Sequence, residues 1–206
     1  MSKSITSLST LLTLMVLLTA ATSTLAQVDQ ARTRPELAPA PTLGCCRCLG
    51  GTNTLDLSTV SSNSWIVNNN PVVFLAQIHP LWNINPGPAQ WVSTVVTGGT
   101  GIIPKGTFDY SLKFVVPRCA IEQRVTLTGN FGGDDGVSLY LDNTTSAPIA
   151  QCTGGWCFNT PHKTLSTIPP TVVGPGTHTL IVRVENGGPS PSGMFVNAKL
   201  TGECVR

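Results

Sequence analysis

The chain has 206 residues, 41% of them hydrophobic and 11% charged, and its 12 Lys and Arg against 10 Asp and Glu leave a net charge of +2. So small a charge, with no run of basic residues, excludes the electrostatic footprint that nucleic-acid binding needs, and few charges combined with ample apolar content exclude an intrinsically disordered chain. The polar complement is chiefly Thr, Ser and Asn with 20 Gly and 16 Pro, the vocabulary of strands and turns.

Residues 1–26 open with Lys3, run through the apolar stretch Leu11 to Leu18 and close on the small residues Thr24 and Ala26, the layout of a secretory signal peptide cut before Gln27. The apolar stretch falls well short of the roughly 20 residues that cross a bilayer, so the mature chain is expected to have no membrane span. Leu43-Gly44-Cys45 looks superficially like a lipidation site, but it lies too far from that stretch. Residues 27–42 carry Pro35, Pro39 and Pro41 among alanines with no apolar periodicity, which reads as a flexible spacer. One secreted domain is expected over residues 43–206.

All seven cysteines, Cys45, Cys46, Cys48, Cys119, Cys152, Cys157 and Cys204, follow the expected cleavage point. Export makes disulfides their default state. Cys152 and Cys157 enclose Thr153-Gly154-Gly155-Trp156, whose glycines let so short a loop close on itself, and a local bridge is expected there. One of Cys45, Cys46 and Cys48 is expected to reach Cys204. An odd count leaves one thiol over, for which a disulfide-linked dimer is an outlet. The rival reading is zinc, although Cys-Cys-x-Cys and Cys-x4-Cys lack the twice-repeated pair of a zinc site; the metal question stays open, and no cofactor is expected.

Strands follow in order. Val72 to Leu75 and Trp91 to Val96 are β-rich runs, and period-two alternation is clear in Phe108, Tyr110, Leu112 and Phe114. It returns in Ile121 to Leu127, Val137 to Leu141, Leu180 to Val184 and Met194 to Leu200. Turns are predicted at Gly132 to Gly136, Asn143 to Thr145, Gly174 to Gly176 and Asn186 to Pro189. The Asn143-Thr144-Thr145 turn also fits the pattern of a glycan acceptor. No helical stripe lasts three turns in the mature chain. An all-β, two-sheet sandwich of about eight strands covers every apolar face economically.

Trp91, Gly106-Thr107-Phe108-Asp109-Tyr110, Gly129-Asn130-Phe131 with Asp134 to Asn143, and Gly176 to Leu180 with Val184-Glu185-Asn186 together resemble the galactose-binding-like jelly roll over about Trp65 to Gly202. The resemblance implies a jelly-roll sandwich and a carbohydrate-binding or adhesive role in a secreted or surface protein. Asn143-Thr144 stands where such domains often carry Asn-Gly, and the cysteine-rich opening lies outside the general pattern.

Catalytic constellations are not assembled in the sequence. Gly-x-Ser-x-Gly is absent and Ser138 lies in a predicted strand. His79, His162 and His178 match no zinc spacing and read as loop residues. Asp134 and Asp135, adjacent in a glycine-rich turn, serve either the turn itself or a sugar or calcium ligand. Sugar binding asks for a flat aromatic face with a few amides or carboxylates. Trp65 and Trp91 sit beside strand patterns and read as core, Trp82 fits either role, and Trp156 in its short loop is the candidate platform. Asp134, Asp135 and Asn186 are the candidate hydrogen-bonding partners. The expectation is a non-catalytic module that binds carbohydrate or another extracellular surface, the alternative being a structural matrix protein cross-linked through cysteine. An enzyme assembled from scattered residues is the third reading.

Overall fold

The computed structural model describes residues 38–45, 47, 49–82, 87–94, 102–154, 157–159, 163–164 and 172–205. The expected signal peptide and most of the spacer lie outside the described residues, as do Cys46, Cys48, Val95, Val96, Trp156 and His162.

The described residues form an all-β sandwich of two antiparallel sheets. The first sheet has the order β10 (Ala150–Cys152), β9 (Gly136–Leu141), β13 (Gly176–Asn186), β7 (Gly106–Val116), β2 (Ile66–Val67), β3 (Asn70–Pro71). The second has the order β11 (Lys163–Thr164), β8 (Gln123–Asp134), β15 (Gly193–Cys204), β5 (Val92–Ser93), β4 (Val73–Phe74). In it β12 (Val172–Val173) also pairs with β8, and β1 (Thr52–Asp56) with β15. A small third pairing joins β6 (Ile102–Ile103) to β14 (Ser190–Pro191). Successive long strands β7, β8, β9, β13 and β15 change sheet at every step except from β9 to β13, which pair side by side in the first sheet.

The alternation read from the sequence is what builds the core. Tyr110, Leu112, Phe114, Leu139, Leu180, Val182 and Val184 point inward from the first sheet, against Val125, Leu127, Phe131, Met194, Val196 and Leu200 of the second. Taking each such side chain out of water stabilises the fold by roughly 1.5–3 kcal/mol. Full-length register holds the layers: Leu112 lies opposite Leu180, which lies opposite Leu141 on its other side, and Leu127 lies opposite Leu200.

A second apolar cluster of Leu75, Trp82, Ala89, Trp91, Phe158 and Phe195 packs apart from the main core. Phe195 is opposite Gly132 in the ladder between β15 and β8, and a side chain at Gly132 would collide with the Phe195 ring and the Cys157 carbonyl oxygen. This corrects the sequence reading. Gly132, Gly133 and Asp134 belong to β8, and the predicted turn shrinks to the single residue Asp135. Gly132 is there to seat an aromatic ring from another strand, and Gly133 to admit the Val137 side chain, not to bend the chain.

The spacer also ends earlier than expected. Thr42 forms a parallel bridge with Val115, whose backbone N–H donates to the Pro41 carbonyl while Leu43 N–H donates to the Val115 carbonyl. Leu43 is fully buried in the main core, which draws the residues before it onto the sheet.

Two bridges are described. Cys152 and Cys157 are joined as expected, with Cα atoms 5.7 Å apart. Cys45 is joined to Cys119, a pairing not read from the sequence, with Cα atoms 5.5 Å apart. Cys204 is disulfide-bonded as well. Among the described residues no helix is long and apolar enough to cross a membrane.

Candidate functional site

Register brings the candidate residues to one end of the sandwich. Gly106 lies opposite Asn186, Gly136 opposite Glu185, and Gly193 opposite Asp134, so β7, β8, β9 and β13 all begin or finish there. A cleft of about 360 Å³ opens between them. Lys105, Thr107, Asp135, Thr153, Glu185 and Asn186 line it, together with Gly106, Gly136, Gly154 and Gly187. The disulfide-closed loop that begins at Cys152 thus contributes Thr153 and Gly154, and Trp156 of the same loop lies outside the described residues.

Each candidate has a distinct role. Asp135 is half-buried; its backbone N–H donates to the Glu185 carbonyl at 2.9 Å, and its Oδ2 accepts from Gly187 N–H at 2.8 Å. That ties the crossover from β8 to β9 onto the end of β13 and leaves the carboxylate on the cleft wall. Asp134, joined to it through a cis peptide, is buried instead. Its Oδ2 accepts from Trp82 Nε1 at 2.8 Å and its backbone carbonyl accepts from the Ser192 hydroxyl at 2.6 Å. Ser93 donates to the Ser192 carbonyl at 2.7 Å and extends this polar seam inward. Burial, then a hydrogen bond with Asp135, push the Asp134 carboxyl up to about 7.

Asn186 reaches the cleft only in part. Its side chain is buried and its amide nitrogen donates to the carbonyls of Ile103 and Pro104, both at 3.0 Å, while its oxygen accepts from Ser190 at 2.8 Å. All of that binds the β6–β14 flap to β13, so the amide read as a ligand contact is already committed to the scaffold. Asp134 is likewise turned to Trp82 and is not on the cleft wall. Among the described residues read from the sequence as ligand contacts, Asp135 brings a carboxylate to the cleft wall.

The chain matches no protein-family model, no characterised protein and no solved structure. The cleft is therefore read from its chemistry.

Glu185, Lys105 and Thr107 line the cleft but were not singled out in the sequence. Glu185 was accessible to that reasoning, since it alternates with the buried Val184 on β13 and so faces outward. Lys105 and Thr107 sit at the entry to β7, where alternation has only just begun and no pattern marks them. Among the described residues no three His, Cys, Asp or Glu side chains gather as a metal site.

The opposite end has a larger cavity of about 430 Å³, lined by residues 116–123 and 172–175. Val116, Pro117, Ala120, Ile121, Val172, Val173 and Pro175 make its wall mainly apolar. Nearby, His178 bridges Asp142 Oδ2 at 2.9 Å and the Gly174 carbonyl at 2.8 Å, which fastens the β12–β13 turn to the end of β9. Arg118, Glu122 and Gln123 line this cavity too, whereas the first cleft brings together two carboxylates, a lysine and two threonine hydroxyls.

Proposed function

We propose that this protein is an extracellular, non-catalytic binding module that takes carbohydrate in the cleft beside Asp135. The observation that carries this reading is the convergence there of Asp135, Glu185, Lys105 and Thr107 with the disulfide-closed loop. Carboxylates and threonine hydroxyls accept and donate the hydrogen bonds that sugar hydroxyls offer, and the volume falls at the lower end of small-ligand sites. Trp156, in the loop that supplies Thr153 and Gly154, is the residue proposed to stack on the ring's apolar face. The intramolecular disulfides support a location outside the reducing cytosol, in keeping with the signal-like opening. The resemblance to the galactose-binding-like jelly roll supports the same class.

A glycan array of the wild type beside Asp135→Asn, Glu185→Gln and Trp156→Ala tests the reading. Saccharide binding that falls about tenfold in each variant is the expected result, a loss on the order of one good hydrogen bond or stacking contact. Absence of binding, together with a disulfide-linked ladder on a non-reducing gel, would replace it with the cross-linked matrix protein.

A further inference from the structure

We propose that the buried Asp134, directly behind the cleft-wall residue Asp135, is a one-proton gate, in which gain or loss of its proton alters the charge behind the cleft wall and the anchoring of Trp82 in one step. The two carboxyls belong to consecutive residues but face different surroundings. Asp135 lines the cleft and is pinned to Gly187 N–H. Asp134 points inward to Trp82 Nε1, and Trp82 stacks on Trp91 with ring centroids 4.4 Å apart, Trp91 in turn meeting Phe195 edge-on at 5.0 Å. A proton on Asp134 is the arrangement that leaves one negative charge on the pair; its loss places two carboxylates together, one of them buried against an indole.

The supporting electrostatics agree with that geometry. Burial first, and Asp135 second, hold the Asp134 proton up to about neutrality, while the Trp82 N–H opposes them. Among the described residues the other ionisable groups around the pair are Glu185 on β13 and Lys105 before β7, which share the cleft, and His79, whose ring centroid lies 6.1 Å from that of Trp82. Ser192, just before β15, donates to the Asp134 carbonyl, and Ser93 of β5 donates to the Ser192 carbonyl; both are neutral. The gate rests on this arrangement of side chains; its consequence for ligand affinity rests on the cleft being the binding site.

Tryptophan emission of the full chain, followed from pH 5 to 9, reads the gate without any ligand. A single-proton transition with a midpoint near 7 is expected. Asp134→Asn keeps an acceptor for Trp82 and should abolish the transition; Asp135→Asn should lower the midpoint by removing the neighbouring charge; Trp82→Phe should remove most of the amplitude. His79→Gln must leave the transition in place. A transition that survives Asp134→Asn or vanishes in His79→Gln overturns the proposal, and so does a flat wild-type profile, with near-ultraviolet circular dichroism reporting that each variant is folded. Failure of saccharide binding on the array is a separate outcome, because the emission titration contains no saccharide.

Discussion

The two ends of the sandwich are fastened by different chemistry. At the cleft end, side chains grip backbone: Asp135 holds Gly187, Asn186 holds Ile103 and Pro104, and Ser192 holds Asp134, while the local bridge spans a separation of 5 residues. At the far end a covalent tie joins Cys45 to Cys119 across a separation of 74 residues. A short-range polar latch fixes the shape of a site, whereas a long-range cross-link restricts the unfolded chain. The cleft end should therefore answer to pH, and the far end to reductant.

The largest effect should separate the two bridges. Loop closure assigns about 4 kcal/mol to a bridge across 74 residues and about 2 kcal/mol to one across 5. Urea unfolding of Cys45→Ser/Cys119→Ser should therefore show about twice the destabilisation of Cys152→Ser/Cys157→Ser. Equal losses would mean that the far end is not the entropic anchor.

The next effect belongs to the cleft end. The folded Asp134 carboxyl is raised to about 7 from its ordinary value of 3.8, so between these values the folded chain keeps a proton that the unfolded chain has lost. Stability should thus be highest below about pH 4 as far as this group is concerned, fall as pH rises, and carry the full penalty, roughly 2–4 kcal/mol, above pH 7. Asp134→Asn should flatten that slope and unfold at higher urea than the wild type at pH 8. A steeper slope in the variant would contradict the assignment.

Trp82→Phe sharpens the same contrast, since it removes the donor to Asp134 and half of the stacked pair with Trp91. A loss of about 2 kcal/mol is expected at pH 6, from a buried acceptor left without that donor. At the far end, His178→Gln should cost less than about 1 kcal/mol, because Asp142 is a largely exposed partner. Thermal unfolding of the two variants side by side ranks them, and the reverse order would invert the comparison.

Long strands were legible where one residue in two is apolar and large, as in Phe108 to Phe114 and Leu180 to Val184, because burial of one sheet face imposes that period directly. The end of β8 was not legible. Gly132 and Gly133 have no side chain with which to show a period, and the place of Gly132 in the strand depends on the ring of Phe195, brought opposite only by the fold. The same dependence hid the role of Trp82, which is decided by the carboxylate of Asp134, and of Asn186, whose amide is decided by the flap at Ile103 and Pro104. Side chains that answer to a local period could be read from the sequence; those that answer to a distant partner could not.

The crossover from β8 to β9 contains one residue, Asp135, and so has no slack. Adding or deleting a residue there would shift β9 by one step against β13 and turn Val137 and Leu139 from the core to solvent, since strand faces alternate with every residue. The loop between β7 and β8 at the other end, residues 117–122, can take up an added residue without moving either register. Variation in chain length is thus excluded at the crossover from β8 to β9, and the stretch of wall that carries Asp135 can diversify by substitution alone.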